Sequence, residues 1–349
     1  MWHTLILEPF FRPMPWGGER LRHWFGPRFP ERERIGEVWL VADHPVHASR
    51  VGTGPLRDHT LGQLRARDPI ALVGKAVDRF PLLVKMLDAS EHLSVQVHPD
   101  DESARIWAPQ EGGKTEAWYV LEAAPGSFLL LGLKPGVDRS LVQRELATGT
   151  LPMCLERYQP KAGECYYVPA GTVHAIGAGL VLLEVQQTSD ATFRLYDWDR
   201  RGADGRPRPL HIEAGLACLR ERTQAGRVWP PPVRSADTVS VPRPQAPGTR
   251  RTSAPVAGAV DAQPARDQSA SSIQLLACPY FALHLEQAER AYRWPAPGLG
   301  VLLQGALALD DGTVQADLEP GASWLVPAAA ALPLLTPRIC ATWMRITWQ

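Results

Sequence analysis

The chain has 349 residues, which is long enough for one large domain or two ordinary ones, each with its own core. Lysine plus arginine and aspartate plus glutamate both total 37, so no overall charge favours nucleic acid or an anionic membrane surface as a partner. The five cysteines form no CxxC pair, and no apolar stretch approaches the roughly 20 residues of a membrane-spanning helix, so we expect a cytoplasmic protein.

Apolar patterning predicts a mainly β chain with helical insertions. Short apolar or alternating runs are typical of strands, whereas i, i+3, i+4 spacing is typical of amphipathic helices. The expected strands lie at 37–41, 80–87, within 115–133, 166–168 and 181–185. The expected helices are 61–73 with a break at Pro69, a helix that Asp100 or Asp101 caps and that ends at Trp107, 138–146 and 211–219.

The composition changes near residue 228. From 228 to 272 the chain is dominated by Pro, Ala, Ser, Arg and Gly, and such a stretch can bury too little surface to offset its ordering entropy. Further on, the apolar run 299–309 followed by an Asp-Asp-Gly turn predicts a β-hairpin. We therefore expect a main domain at 1–227, a linker at 228–272 and a smaller β-domain at 273–349.

Four potential metal ligands lie between Gln96 and His174. Gln96 and His98 should project from the same face of a strand, because side chains alternate along it. Glu116 and His174 would come from neighbouring strands, although a histidine taken singly is more often a hydrogen-bonded structural residue than a ligand, and Gln96 alone would be a surface or network amide. Imidazole nitrogen with carboxylate and amide oxygen suits zinc or another divalent first-row metal, and the lack of thiolate disfavours a purely structural site.

The segment from Gly163 to His174 has a faint second copy further along the chain. The same glycine and proline spacing is found from Gly321 to Leu332, with leucine in the place of the histidine. This repeat predicts a second barrel that kept the strand and turn but lost the metal. The alternative is that two unrelated turns share their spacing by coincidence.

Several motifs resemble those of one enzyme family. They are Trp16-Gly17-Gly18, 35–39, 93–101, 113–121, Gly163–His174, 184–198 and Leu210-His211-Ile212. The Gly163–His174 segment is similar to the second sequence motif of the cupin superfamily. The whole set resembles type I mannose-6-phosphate isomerases in their short bacterial form, from about Pro9 to Leu219.

The resemblance implies both a fold and a reaction. The fold would be a catalytic cupin barrel, a double-stranded β-helix with helical insertions, followed by a smaller degenerate cupin-like β-domain. The reaction would be the zinc-dependent interconversion of mannose 6-phosphate and fructose 6-phosphate through a cis-enediol, with one zinc ion per chain. By position the zinc ligands would be Gln96, His98, Glu116 and His174, chiefly the last three in the short form.

Four further side chains are expected in the active site. Arg194 matches the family's active-site arginine and could stabilise an enediolate or bind phosphate, unless it forms an ordinary salt bridge. Lys114 could reach the substrate, unless it is an exposed loop lysine. Burial of Glu184 would raise its pKa towards that of a useful base, but this residue could instead pair with Arg194 or Lys85. Lys85 is a candidate for binding phosphate, or a lysine that extends to the surface.

Two other functions stay open at this point. One is an isomerase of unphosphorylated aldoses such as mannose or lyxose, against which only Lys85, Lys114 and Arg194 argue. The other is a non-catalytic, metal-dependent sugar-binding cupin, against which the presence of Glu184 and Arg194 argues. The expected partner is a small sugar phosphate, with no nucleic acid and no membrane, and the chain would be a monomer or a homodimer.

Overall fold

The structure, a computed structural model, describes residues 2–201, 205–230 and 270–349. The strands are β1 (Leu5–Leu7), β2 (Phe10–Gly18), β3 (Ile35–Val41), β4 (Asp43–His44), β5 (His47–Ala48), β6 (Leu82–Ala89), β7 (Val95–Val97), β8 (Glu116–Ala123), β9 (Leu129–Leu133), β10 (Leu155–Tyr158), β11 (Cys165–Val168), β12 (His174–Ile176), β13 (Leu180–Gln187), β14 (Phe193–Tyr196), β15 (Gly226–Trp229), β16 (Ala270–Ala277), β17 (Phe281–Ala288), β18 (Tyr292–Arg293), β19 (Gly298–Asp310), β20 (Gln315–Leu318), β21 (Ser323–Val326) and β22 (Leu334–Trp348). The helices are α1 (Arg22–Phe25), α2 (Leu61–Arg67), α3 (Pro69–Val73), α4 (Asp101–Trp107), α5 (Arg139–Ala147) and α6 (Ile212–Cys218), with 3-10 turns at Gly26–Arg28 and Leu151–Cys154.

The predicted helices form where the sequence supplies caps and breaks. Pro69 divides the predicted helix at 61–73 into α2 and α3, because proline has no N–H to continue the helical hydrogen bonds. Asp100 caps α4 by accepting a hydrogen bond from Ser103 N, and Asp138 caps α5 in the same way. None of the described helices is long and apolar enough to cross a membrane.

Two antiparallel sheets form the first barrel. One has the strand order β15-β11-β8-β13-β6-β3-β2, and the other has the order β10-β9-β12-β7-β14. Trp118 of the first sheet and Leu131 of the second belong to one buried cluster, so the sheets pack face to face. The predicted strands within residues 35–187 are confirmed as central members of these sheets.

The central strand β6 is buried on both faces, which explains its continuous apolar run. Side chains alternate along the strand. Val84 and Met86 therefore face a core shared with the C-terminal part of the chain, whereas Lys85 and Leu87 face the barrel interior. A charged residue at this position has no route to solvent except through the interior.

A second sheet structure contains the C-terminal strands in the order β1-β21-β19-β22-β17-β16. The predicted hairpin is confirmed, since β19 and β20 pair antiparallel around the turn that follows Asp310. The N-terminal strand β1 also belongs here, because Leu5 pairs with Leu325. Most of the predicted linker, residues 231–269, lies outside the described residues, and the predicted bounds of the two domains stay a prediction.

Candidate metal centre

Three strands bring the predicted ligands together at one end of the first barrel. Gln96 lies on β7 with His98 one residue beyond its end, Glu116 begins β8, and His174 begins β12. His174 and Gln96 are direct antiparallel partners, so the pairing of β12 with β7 sets their separation. All of the predicted ligands except Gln96 are buried, at 1% exposure or less.

One ligand atom from each of His98, Glu116 and His174 lies within 4.8 Å of the other two. The Glu116 carboxylate lies between the histidines, with His98 Nε2 3.5 Å from Oε2 and His174 Nε2 3.4 Å from Oε1. Glu116 Oε2 is buried, and among the described residues it accepts no hydrogen bond apart from its contact with the Lys114 ammonium. A buried carboxylate oxygen of this kind is suited to a cation.

Hydrogen bonds to the backbone fix both imidazole rings. His98 Nδ1 donates to the Ala191 carbonyl at 2.8 Å, and His174 Nδ1 donates to the Thr172 carbonyl at 2.9 Å. A proton on Nδ1 leaves the lone pair on Nε2, the atom that faces Glu116 in both residues. Burial lowers the pKa of His174 to about 4 and holds the pKa of His98 well below its usual value. The neutral imidazoles and the carboxylate are a donor set that fits zinc.

Gln96 is beside this group but its amide is turned. Its Nε2 lies 3.2 Å from His174 Nε2, and its Oε1 accepts a hydrogen bond from Ser94 Oγ at 3.2 Å. The nitrogen therefore faces the histidine lone pair that a metal would use. Gln96 would have to present its oxygen instead in order to act as a ligand.

Lys114 lies at the centre of the site and not in an exposed loop. It precedes β8, is 4% exposed, and its Nζ lies 2.9 Å from Glu116 Oε2 and 3.1 Å from His98 Nε2. Burial opposes the positive charge, but the carboxylates of Glu116 and Glu184 outweigh it and raise the pKa of Lys114. Lys114 is therefore a buried ammonium in contact with the candidate ligands.

Glu184 is a second carboxylate in the same interior. It lies on β13 opposite Lys85 on one side and Trp118 on the other, and its Oε1 is 3.5 Å from Lys114 Nζ. Burial raises the pKa of Glu184 to about 7. Among the described residues its ion pair is with Lys114, not with the alternatives considered from the sequence, Arg194 and Lys85.

A cavity of about 280 Å³ opens onto these residues, and its polar lining contains two further charged groups. The first is the Arg194 pair, made of Arg194 and Arg208. Arg194 lies on β14 opposite Gln96, and Arg208 donates to the Asp197 carboxylate at 2.7 Å. Burial and the neighbouring Arg208 lower the pKa of Arg194, whose Nε is buried without a hydrogen-bond partner among the described residues.

The second group is the Arg12 cluster, which consists of Arg12, Glu37, Lys85 and Asp190. Lys85 is 3% exposed and does not extend to the surface. Sequence reasoning placed Glu37 and Asp190 in family-like motifs without a role, and it missed Arg12 and Arg208 altogether. No local pattern marks these two arginines, since their carboxylate partners lie 11 or more residues away along the chain.

Comparison with known proteins identifies the family that this chain resembles. A family model described as phosphomannose isomerase type I, catalytic domain, matches residues 5–119. The mannose-6-phosphate isomerase of Streptococcus mutans is 41% identical over 219 residues, which cover 63% of this chain and 68% of that protein. The chain belongs to the type I phosphomannose isomerase family. The resemblance inferred from the motifs is thus confirmed.

Solved structures of this family confirm the predicted fold. The mannose 6-phosphate isomerase of Bacillus subtilis superposes with a TM-score of 0.80 at 28% identity, covering 99% of both chains. A zinc-bound mannose 6-phosphate isomerase superposes with a TM-score of 0.68 at 16% identity and shows the same fold. The mainly β cupin architecture expected from the sequence is therefore correct.

The second barrel carries different residues at the corresponding positions. In the first barrel Val168 on β11 pairs with Glu116, whereas Val326 on β21 pairs with Gly298. Two residues further along β19, Gly300 pairs with Trp324, and a Cβ at Gly300 would meet the Trp324 ring at 2.1 Å. The second barrel thus has a glycine, Gly298, where the first barrel has the carboxylate of Glu116.

Proposed function

We propose that the protein interconverts mannose 6-phosphate and fructose 6-phosphate through a cis-enediol, with zinc held by His98, Glu116 and His174. The observation that carries the proposal is the convergence of two histidine Nε2 atoms and a buried carboxylate beside Lys114 and Glu184. Gln96 is proposed as a further, oxygen ligand. Zinc bound there would supply the positive charge that polarises the substrate carbonyl and acidifies the neighbouring C–H.

The chemistry also requires a group that moves a proton between C1 and C2 of the open-chain sugar. Glu184 and Glu37 are buried carboxylates of the cavity outside the proposed ligand set, and Glu37 is paired with Arg12. Burial raises the pKa of Glu184 to about 7, so we assign the proton transfer to Glu184. Lys114, between Glu116 and Glu184, is placed to stabilise the negative charge that develops on the enediolate oxygen. Arg194 lies opposite Gln96 on the adjacent strand and lines the same cavity, so its positive charge acts on this oxygen as well as on the phosphate.

The charges of the lining favour the Arg194 pair as the phosphate subsite. Arg208 is paired with Asp197, whereas Arg194 donates to the Pro209 carbonyl and has no ion pair among the described residues, so the group keeps a net positive charge. The Arg12 cluster contains two cations and two carboxylates and is neutral. A phosphate dianion is attracted to the first group, and Lys85 is then left to bind the sugar part of the substrate.

The test is turnover on mannose 6-phosphate and on mannose by zinc-loaded protein. We expect turnover of the phosphorylated sugar, and Arg208→Ala should raise its KM by about tenfold or more, as loss of a charge-assisted hydrogen bond does. Arg208→Ala should leave any turnover of mannose unchanged. Arg144→Ala, which changes an arginine on the exposed face of α5, is the control for lost positive charge.

Each alternative function has its own result in this assay. Equal turnover of mannose and mannose 6-phosphate would contradict the phosphate subsite and favour an isomerase of unphosphorylated aldoses. Tight sugar binding with added zinc and no product would favour a non-catalytic sugar-binding cupin. The sugar phosphate as sole partner, a monomeric or homodimeric state and a cytoplasmic location stay predictions.

A further inference from the structure

The Arg12 cluster brings four charged side chains together at the cavity. Its members come from four separate parts of the first barrel: Arg12 on β2, Glu37 on β3, Lys85 on β6 and Asp190 in the loop after β13. Arg12 and Glu37 are cross-strand partners, and so are Trp39 and Lys85. The pairing of β2, β3 and β6 therefore holds two cations against the same two carboxylates.

The two cations are not bound equally. Arg12 Nη1 lies 3.2 Å from Glu37 Oε2 and 3.1 Å from Asp190 Oδ2, both hydrogen bonds. Lys85 Nζ lies 3.9 Å from Glu37 and 3.9 Å from Asp190, which is beyond hydrogen-bond distance. Within the described part of the chain, Lys85 makes no hydrogen bond with its side chain.

Other contacts hold the carboxylates in this arrangement. Glu37 Oε2 also accepts a hydrogen bond from Trp39 Nε1 at 2.7 Å, so this oxygen has little capacity left for a further hydrogen bond. Asp190 N donates to Glu111 Oε2 at 3.0 Å, which fixes the loop that carries the aspartate. The guanidinium of Arg12 and the ammonium of Lys85 both lie over the Trp39 ring, 5.2 Å and 5.5 Å from its centroid.

We propose that Arg12 is a positioning residue that occupies Glu37 and Asp190 and so keeps the Lys85 ammonium free for the substrate. The Arg12 guanidinium donates to both carboxylates, so its charge balances theirs without a hydrogen bond from Lys85. Without Arg12 the cluster would hold two buried carboxylates and one cation, and the unbalanced charge would draw Lys85 into direct hydrogen bonds with them. Lys85 would then lie about 1 Å further from the position that it has opposite Glu184.

This inference rests on the proposed function only through the role of Lys85 at the substrate. A displacement of about 1 Å at a substrate-binding group is expected to lower kcat/KM by about 100-fold. Arg12→Lys keeps the positive charge but changes the shape of the side chain, whereas Arg12→Gln removes the charge. Arg345→Ala is a matched control, because Arg345 is a largely buried arginine that donates to a buried glutamate, Glu286, in the second barrel.

The experiment combines crystal structures without substrate and kinetics on mannose 6-phosphate. We expect Arg12→Gln to bring Lys85 Nζ within about 3.2 Å of Glu37 or Asp190 and to lower kcat/KM about 100-fold. Arg12→Lys should keep most of the activity, and Arg345→Ala should keep all of it.

Three results would overturn the inference. They are a Lys85 ammonium that stays in place in Arg12→Gln, a displaced Lys85 with unchanged kcat/KM, and an Arg12→Lys variant as impaired as Arg12→Gln. If the wild-type protein lacked turnover, the proposed function would fail, and the crystal structures would still decide whether Arg12 holds Lys85 in place.

Discussion

The ring orientations of His98 and His174 are fixed by hydrogen bonds from Nδ1, the nitrogen that does not face the candidate metal site. Each ring is buried, and each Nδ1 is committed to a backbone carbonyl. The Nε2 lone pairs are therefore directed at Glu116 before any cation binds, and little ordering is left for the binding step.

The first prediction concerns these two side chains. His98→Ala or His174→Ala should abolish zinc binding and activity together, a loss greater than the roughly 10–100-fold that removal of an outer hydrogen-bond partner causes. Zinc content after gel filtration and the isomerase rate are the two measurements. Either variant binding zinc with wild-type affinity would show that the ligand is elsewhere.

Arg194 should behave differently from the histidines. Its guanidinium donates to the Pro209 carbonyl, and among the described residues it forms no hydrogen bond with His98 or His174, so we expect the metal site not to depend on it. We expect Arg194→Ala to retain full zinc content and to lose about 10²–10³-fold in kcat, as removal of a group that stabilises developing charge does. Full turnover by this variant would refute the assigned role.

At the scale of single residues, the sequence was informative where spacing carries the signal. Gln96 and His98 are two positions apart at a strand end, and His174 follows a Pro-x-Gly turn, so their closeness in space could be predicted, whereas their roles stay predictions. Arg12 and Arg208 could not be predicted as site residues, because each lies in the site through an ion pair with a carboxylate that folding brings close.

The loop after β13 is the element that joins the metal site to the Arg12 cluster. Ser189 is fully buried, and its Oγ donates to the Gly112 carbonyl at 2.9 Å and accepts from Ala191 N at 3.3 Å. The carbonyl of Ala191 is the acceptor for His98 Nδ1. One serine hydroxyl thus holds the residue that orients a candidate zinc ligand.

Ser189→Ala should therefore weaken zinc binding by about 10–100-fold, because the hydrogen bond behind His98 loses its support. The dissociation constant for zinc, measured by competition with a chelator on the metal-free protein, is the readout. Thr188→Val is the matched control, since the Thr188 hydroxyl is buried in the same loop but donates to the Phe80 carbonyl. Equal weakening in both variants would indicate general loosening of the loop instead.

The elements themselves were largely predictable, because caps and breakers are local. Asp100, Pro69 and Asp138 act on residues three or four positions away, and the helices begin and end accordingly. The membership of β1 in the C-terminal sheet could not be predicted in this way. Two strands that pair from opposite ends of the sequence cannot be recognised as partners from a short window of sequence.

On the scale of the whole molecule, one core joins the two barrels. A single buried cluster contains Leu5, Val84 and Met86 together with Leu283 and Ile346 from the C-terminal strands. Cross-barrel hydrogen bonds add to it, such as Trp24 Nε1 to the Leu303 carbonyl and Ser323 Oγ to the Leu40 carbonyl. Neither barrel could separate without exposing this apolar surface.

The shared core predicts that thermal unfolding is a single cooperative transition. A variant that destabilises the second barrel should therefore lower the midpoint for the loss of zinc from the first. Gly300→Ala is suited to this purpose, since its Cβ would overlap the Trp324 ring, and overpacking costs about 1–3 kcal/mol.

Calorimetry of the wild type and of Gly300→Ala, with zinc release followed in parallel, is the measurement. Gly112→Ala is the control, because a Cβ there has only one neighbour, at 4.0 Å. Two separate transitions, or an unchanged midpoint for zinc release in Gly300→Ala, would show that the barrels unfold independently.

The pairing of β1 with β21 has a consequence for biosynthesis. Leu5 is synthesised long before its partner Leu325, because β1 precedes β21 by most of the strands of the chain. Until then the edge of β1 has no strand to pair with, and unpaired strand edges are sites of aggregation. The nascent chain must carry this edge unpaired until β21 has been synthesised, so slow synthesis of the segment between β1 and β21 should make the nascent chain dependent on a chaperone.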